Sequence, residues 1–186
     1  MSVQIGVKAH NFTDPTGLLS DCHRRVEMFL GMLVSVADVL DRPGTEETNR
    51  ALESALRYFG QAAPNHTADE EDSLFPRLRQ IDDPEIRSAF QRLDKLEDDH
   101  RWATPLHVEV ERLGVKYLST GKLSDGEIRS FRNAVRNLVS MYKEHISVED
   151  NLIFPLARRV LSDTEKLAIA NEMAGRRQVK LVTNLS

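Results

Sequence analysis

The chain has 186 residues, 40% apolar and 29% charged, long enough for one domain with a single sizeable core and barely for two. Its formal charge of −4 and pI of about 5.9 argue against a nucleic-acid-binding surface, because Lys and Arg do not cluster beyond short pairs such as Arg158-Arg159 and Arg176-Arg177. The single cysteine, Cys22, excludes an intramolecular disulfide and fits a reducing cytoplasm. No charged-then-apolar leader and no run near the roughly 18 apolar residues of a membrane span is present, so a cytoplasmic protein without membrane partners is expected.

The first signal in chain order is a weak period-two alternation over residues 3–7. It precedes His10, which lies ahead of the helical region and carries no motif. The first helix follows, with Leu19, His23, Val26, Leu30, Leu33, Ala37 and Leu40 in steps of three and four, which is one face of an α-helix. Asp41-Arg42-Pro43-Gly44 ends it as a turn. The second stripe reads Leu52, Leu56, Phe59, Ala63, His66, Glu70, Leu74. Pro64 falls inside it and predicts a local kink, because proline removes a backbone donor and crowds the preceding turn.

Asp82-Asp83-Pro84 is a second turn by composition, and the third stripe reads Ile86, Phe90, Leu93, Leu96, His100, Ala103, His107, with a second kink predicted at Pro105. After Ser119-Thr120-Gly121, Ser124 and Glu127 form a capping-box pattern. The fourth stripe then reads Ile128, Phe131, Val135, Leu138, Tyr142, His145, Glu149, Leu152, Leu156. A shorter fifth helix is predicted from Asp163 to about Arg177, capped by Ser162 or Asp163, and the tail from Gln178 carries no element signal and is expected to be mobile. The expected fold is all-α: a single-domain, antiparallel up-down-up-down four-helix bundle over about 16–160 with a short C-terminal helix.

The chain repeats itself. His66-Thr-Ala-Asp-Glu70 precedes Phe75-Pro76 as His145-Ile-Ser-Val-Glu149 precedes Phe154-Pro155, and Asp21-Cys22-His23-Arg24 matches Asp98-Asp99-His100-Arg101 in placement. A two-helix unit used twice gives a pseudo-two-fold bundle in which each half brings one lone histidine and one His-x-x-x-Glu. All six of these residues, His23, His66, Glu70, His100, His145 and Glu149, fall on the stripes that face the core. Burying two glutamates without compensation costs several kcal/mol each, so the pattern calls for buried positive charge. At about 1.5 Å per residue the lone histidines and the His-x-x-x-Glu pairs reach similar depths, and six donors converge on one small volume. Four imidazoles and two carboxylates can hold two metal ions, each on two histidines with both glutamates bridging. Such nitrogen and oxygen donors, without thiolate, suit iron or manganese, with zinc a third candidate.

The order H…HxxxE…H…HxxxE, with an acid after each glutamate and a Phe-Pro tail, resembles the hemerythrin-like (HHE) cation-binding domain over roughly residues 16–160. The resemblance implies a non-haem di-iron centre with an oxo or hydroxo bridge that meets O2, NO or peroxide at an open coordination position. Oxygen carriers of that family have HxxxH on the third helix and HxxxxD on the fourth. Here Thr104 stands four residues after His100 and the fourth helix has HxxxE, a set one imidazole short of the carrier pattern. That set is more similar to the bacterial hemerythrin-like proteins and to the family that repairs damaged iron–sulfur clusters, which usually adds a cysteine-bearing N-terminal domain not found here. Binding or sensing of a small diatomic or peroxide is therefore the leading expectation. A stress enzyme or iron donor, and an iron reservoir or sensor, are the alternatives. The redox partner and oligomeric state are left open.

Neighbouring residues receive plainer readings. His107 lies two turns past His100 and is read as lining a pocket rather than as a ligand. Glu27 is read as a surface residue, Glu97 as a coincidental Glu-x-x-His match, and Cys22 as pointing about 100° round the helix from His23 and inert. Tyr142 is read either as a hydrogen-bonding neighbour of the site or as core filling. No phosphate-binding loop or nucleophile elbow is present.

Overall fold

A computed structural model describes residues 14–179, and every regular element among them is helical. The alternation over 3–7, His10 and the last seven residues lie outside the described residues. Helix α1 (Pro15–Val39) opens where Asp14 accepts the Gly17 N–H, with proline at its first position. Thr45 caps α2 (Glu46–Arg57), whose acidic first turn suits the positive end of the helix dipole. The Asp83 carboxylate accepts the N–H groups of Glu85 and Ile86 to start α5 (Pro84–Thr120), and Gly121 ends that helix with φ of +70°. The expected Ser124–Glu127 capping box opens α6 (Asp125–Val148), and an equivalent box fixes Ser162 as the cap of α8 (Asp163–Arg176).

The second rod of the bundle is not one regular helix. After α2 come a π-helical turn (Tyr58–Ala62), α3 (Ala63–Ala68), a second π-turn (Asp69–Leu74) and α4 (Phe75–Leu78). The fourth rod likewise passes from α6 through a π-turn (Glu149–Ile153) into α7 (Phe154–Val160). Each π-turn is followed by a proline at the second residue of the next α-helix: Pro64, Pro76 and Pro155. A proline ring clashes with the carbonyl four residues back and supplies no N–H. Those carbonyls, of Gly60, Asp72 and Asn151, all fall inside the wider turns, which the clash therefore favours. Bonds to the fifth residue back complete them: Ala63 N–H to Tyr58, Phe75 N–H to Glu70, and Phe154 N–H to Glu149. The kink expected at Pro64 is thus a π-turn. Helix α5 stays α-helical through Pro105, whose ring lies on the exposed face.

One stripe residue is corrected. Leu152 is 42% exposed and Ile153 fully buried, because the wider turn at Glu149–Ile153 advances the buried face by one residue.

Around the bundle, α1 packs on α2, α2 on α5, α5 on α6, and α6 back on α1, which closes a four-sided core. That core is divided. One apolar cluster holds Val26, Leu33, Leu52, Ala103, Phe131 and Leu138, and the other holds Leu19, Leu74, Phe75, Leu96, Ile153 and Phe154, with α8 adding Ile169 and Met173. Between Leu19 and Val26 lies His23, and between Leu96 and Ala103 lies His100. The six residues form a polar layer between two dry clusters. Helix α8 also grips the turn that carries Glu70: Arg176 and Arg177 pair with fully buried Asp69 at 2.9 and 2.6 Å, and Arg77 meets Glu172 at 3.0 and 2.6 Å. No described helix is long and apolar enough to cross a membrane.

Candidate metal centre

Each half contributes its glutamate from a π-turn and its HxxxE histidine from the last α-helical residues before it. His66 stands in α3 and Glu70 in the turn that follows; His145 stands in α6 and Glu149 opens the next turn. π-turns recur at functional sites because they re-aim side chains within a helix. His66 Nε2 lies 3.2 Å from Glu70 Oε1, and His145 Nε2 lies 3.1 Å from Glu149 Oε2. The lone histidines reach in from the opposite rods. His23 Nε2 is 3.1 Å from Glu149 and 3.9 Å from Glu70, and His100 Nε2 is 3.6 Å from Glu70.

All six residues named from the sequence are therefore brought together. They form two groups of four that could each hold a metal ion, His23, His66, Glu70 and Glu149, and His100, His145, Glu70 and Glu149, with donor atoms mutually within 4.8 Å. Both glutamates belong to both groups, and each has zero exposure. Both oxygens of Glu70 and of Glu149, with Nε2 of His23 and of His145, are buried without a hydrogen-bond partner. Orphaned lone pairs facing one another fit a cation, which satisfies them together.

Charge in this layer is strongly perturbed. Burial, with Glu149 alongside, pushes Glu70 up to about 8. Burial also opposes ionisation of Glu149, but His145 and His23 outweigh it and hold that carboxyl well below the usual range. His23 is raised to about 12 against its own burial by Asp150, Glu149 and Glu70. Burial and neighbouring His23 lower His66, and burial with His145 lowers His100. The layer thus splits its protons unevenly between like groups, as expected where charges share a dry volume.

Beyond the six, the structure adds residues the sequence reading did not assign. The Nδ1 atom of His23 lies 3.0 Å from Asp150 Oδ1, and that carboxylate also accepts Ser20 Oγ at 2.7 Å and Arg24 at 3.0 Å. The Nδ1 atom of His100 lies 2.7 Å from Glu71 Oε1. These are the acids directly after Glu149 and Glu70, so the doubled Glu-acid pattern carried the signal. Their role was hidden because each one backs a histidine of the other half. Phe154 of the second Phe-Pro stacks on His23, with ring centroids 5.2 Å apart.

Exposed Glu27 faces Arg24, and Glu97 pairs with Arg79 at 2.6 Å; neither joins the groups. Cys22 is buried, and its sulfur accepts from Arg25 at 2.9 Å. His107 lies outside both groups and meets Tyr142 Oη through Nε2 at 3.0 Å; Tyr142 packs on the first apolar cluster, its ring 6.1 Å from that of His145. A cavity of about 500 Å³ reaches the layer from the side, lined by Phe59, Ala63, His100, Thr104, His107 and Tyr142 among others.

A four-rod bundle with buried histidines and carboxylates grouped around two cation positions defines a cation-binding helical protein. Residues 14–157 match the Hemerythrin HHE cation binding domain, and the chain belongs to that family. It is also 29% identical over 170 residues to an uncharacterized protein of Haemophilus influenzae, covering 91% of this chain and 93% of the relative.

Proposed function

We propose that this protein is a non-haem di-iron protein that binds or senses O2, NO or peroxide, with His23, His66, Glu70, His100, His145 and Glu149 as the ligands. The observation that carries the reading is the sharing of Glu70 and Glu149 by both four-residue groups, the arrangement expected of carboxylates bridging two ions. Iron is favoured over manganese or zinc by the imidazole and carboxylate donors together with the family. A bound iron pair would supply a redox-active centre with an open coordination position.

The chain's own residues do the rest. Asp150 and Glu71 hold His23 and His100 through Nδ1, which leaves each Nε2 directed at the glutamates. The two apolar clusters close the layer at either end of the bundle. Thr104 occupies the position of the oxygen carriers' additional histidine, and its hydroxyl donates to the His100 carbonyl at 3.0 Å instead of facing the glutamates. The neighbouring cavity gives a small ligand a route to the layer at His100 and Tyr142.

Anaerobic reconstitution of the full chain with Fe(II), followed by metal analysis and visible absorption, tests the reading. Two irons per chain, a charge-transfer band on oxidation and stoichiometric spectral change with NO, O2 or peroxide are expected. One tightly held zinc and no visible spectrum would overturn it. Sustained consumption of peroxide would move the protein to the class of stress enzymes.

A further inference from the structure

The pseudo-two-fold repeat makes the two cation positions comparable residue by residue, and they are not equal. His23 corresponds to His100, His66 to His145, Glu70 to Glu149 and Glu71 to Asp150. The two lone histidines are treated alike, each with Nδ1 against a carboxylate, at 3.0 Å for His23 and 2.7 Å for His100. The two HxxxE histidines are not. Neither outer nitrogen makes a hydrogen bond, but Asp99 Oδ2 stands 3.5 Å from His145 Nδ1, an ion-pair distance, whereas none of the described residues places a carboxylate so close to His66 Nδ1.

The repeat differs at one neighbouring residue. Asp99 directly precedes His100; the residue that directly precedes His23 is Cys22. A thiol stands where the repeat would place a carboxylate, and its sulfur is occupied by Arg25 at 2.9 Å. Charge follows the same division. Around His100 and His145 the outer groups are Glu71 and Asp99, with Lys95 on Asp99 at 2.8 Å. Beside His23 stands Asp150, with Arg24 on it at 3.0 Å, while Arg25 lies on Cys22.

We infer that the position built on His100 and His145 holds its metal ion more tightly, that the position built on His23 and His66 is exchangeable, and that Cys22 in place of an acid sets the difference. The inference rests on the two-metal reading above. A carboxylate on the outer nitrogen fixes the tautomer that ligates through Nε2 and makes the imidazole a stronger donor. Loss of such a partner typically lowers metal affinity about 10- to 100-fold. Arg24 and Arg25 add positive charge on the same side. An exchangeable first position suits delivery of one ion while the second keeps the fold closed.

The test is anaerobic removal of Fe(II) from the fully loaded protein by a chromogenic chelator, combined with iron-edge anomalous diffraction from protein stripped of half its metal. Two phases differing about tenfold or more in rate are expected, with residual density between His100 and His145. In Cys22→Asp the fast phase should slow toward the other, at unchanged saturation stoichiometry. Asp99→Asn, at a partly exposed site, should speed the slow phase and keeps the test available if Cys22→Asp does not fold. Equal rates, or residual iron between His23 and His66, would overturn the inference and leave the two-metal reading standing. A chain that saturates with one ion would instead overturn that reading.

Discussion

Asp150 and His23 lie 127 positions apart in sequence, yet their Oδ1 and Nδ1 atoms meet at 3.0 Å. Glu149, the residue before Asp150, meets the other nitrogen of the same ring, Nε2, at 3.1 Å. Two consecutive acids on a π-turn of the fourth rod thus hold both nitrogens of a histidine on the first. The mirrored pair, Glu70 and Glu71 around His100, does the same between the second and third rods.

Removing the outer acid should therefore weaken metal binding without abolishing the site. Asp150→Ala is expected to lower metal affinity about 10- to 100-fold. It should cost about 1–3 kcal/mol in stability, because the His23 nitrogen loses its partner. Competition with a chelator of known affinity and a denaturant titration of the same sample would check both.

The ligand assignment itself is tested by two alanine variants in parallel. His66→Ala should lose metal at the first position, and His107→Ala should keep full stoichiometry, since His107 belongs to neither group. Metal retained in the first and lost in the second would place the register of the second or third rod in error.

Metal removal should soften the bundle. Without a cation, Glu70 and Glu149 remain fully buried with both their oxygens unpartnered by hydrogen bonds. A loss of several kcal/mol is expected, and about 1 kcal/mol corresponds to roughly 2–4 °C in a chain of this size. Calorimetry before and after chelation should show a Tm lower by about 10 °C, recovered on adding iron back.

Asp69 supports the site from behind. Asp69→Ala removes the acid that both Arg176 and Arg177 hold, and the expected cost is about 2–4 kcal/mol, below that of a wholly buried pair because the arginines are partly exposed. Hydrogen exchange should quicken in α8 and in the turn that carries Glu70 before the rest of the bundle responds.

Burial lowers His107 from its ordinary 6.5 to about 4. The unfolded chain therefore binds this proton at higher pH than the folded one. The charged form is disfavoured in the fold, so stability is unaffected above about 6.5 and falls as pH drops from there toward 4. The loss should reach up to about 3 kcal/mol. His107→Gln should remove that part of the slope, seen as the difference between variant and wild-type unfolding curves at matched metal content.

Much of the centre could be read from residue spacing. Steps of three and four placed His23, His66, His100, His145, Glu70 and Glu149 on inward faces, and the duplicated HxxxE showed that two halves must meet. Local turn chemistry was equally legible at Ser124–Glu127 and, within one residue, at Ser162. The Phe-Pro pairs were visible as well, but their consequence was not, since a fixed period of 3.6 does not announce a wider turn. Leu152 was misplaced for that reason.

What the sequence by itself determined is the bundle and the inward placing, at similar depth, of four histidines and two glutamates, because helical periodicity and an internal repeat are properties of spacing. Only the tertiary structure decided which histidines share a position, which acids stand behind them and that none of the described acids stands behind His66. Those relations join residues on different rods, and the distance between such residues depends on how the rods pack rather than on where they fall in the chain.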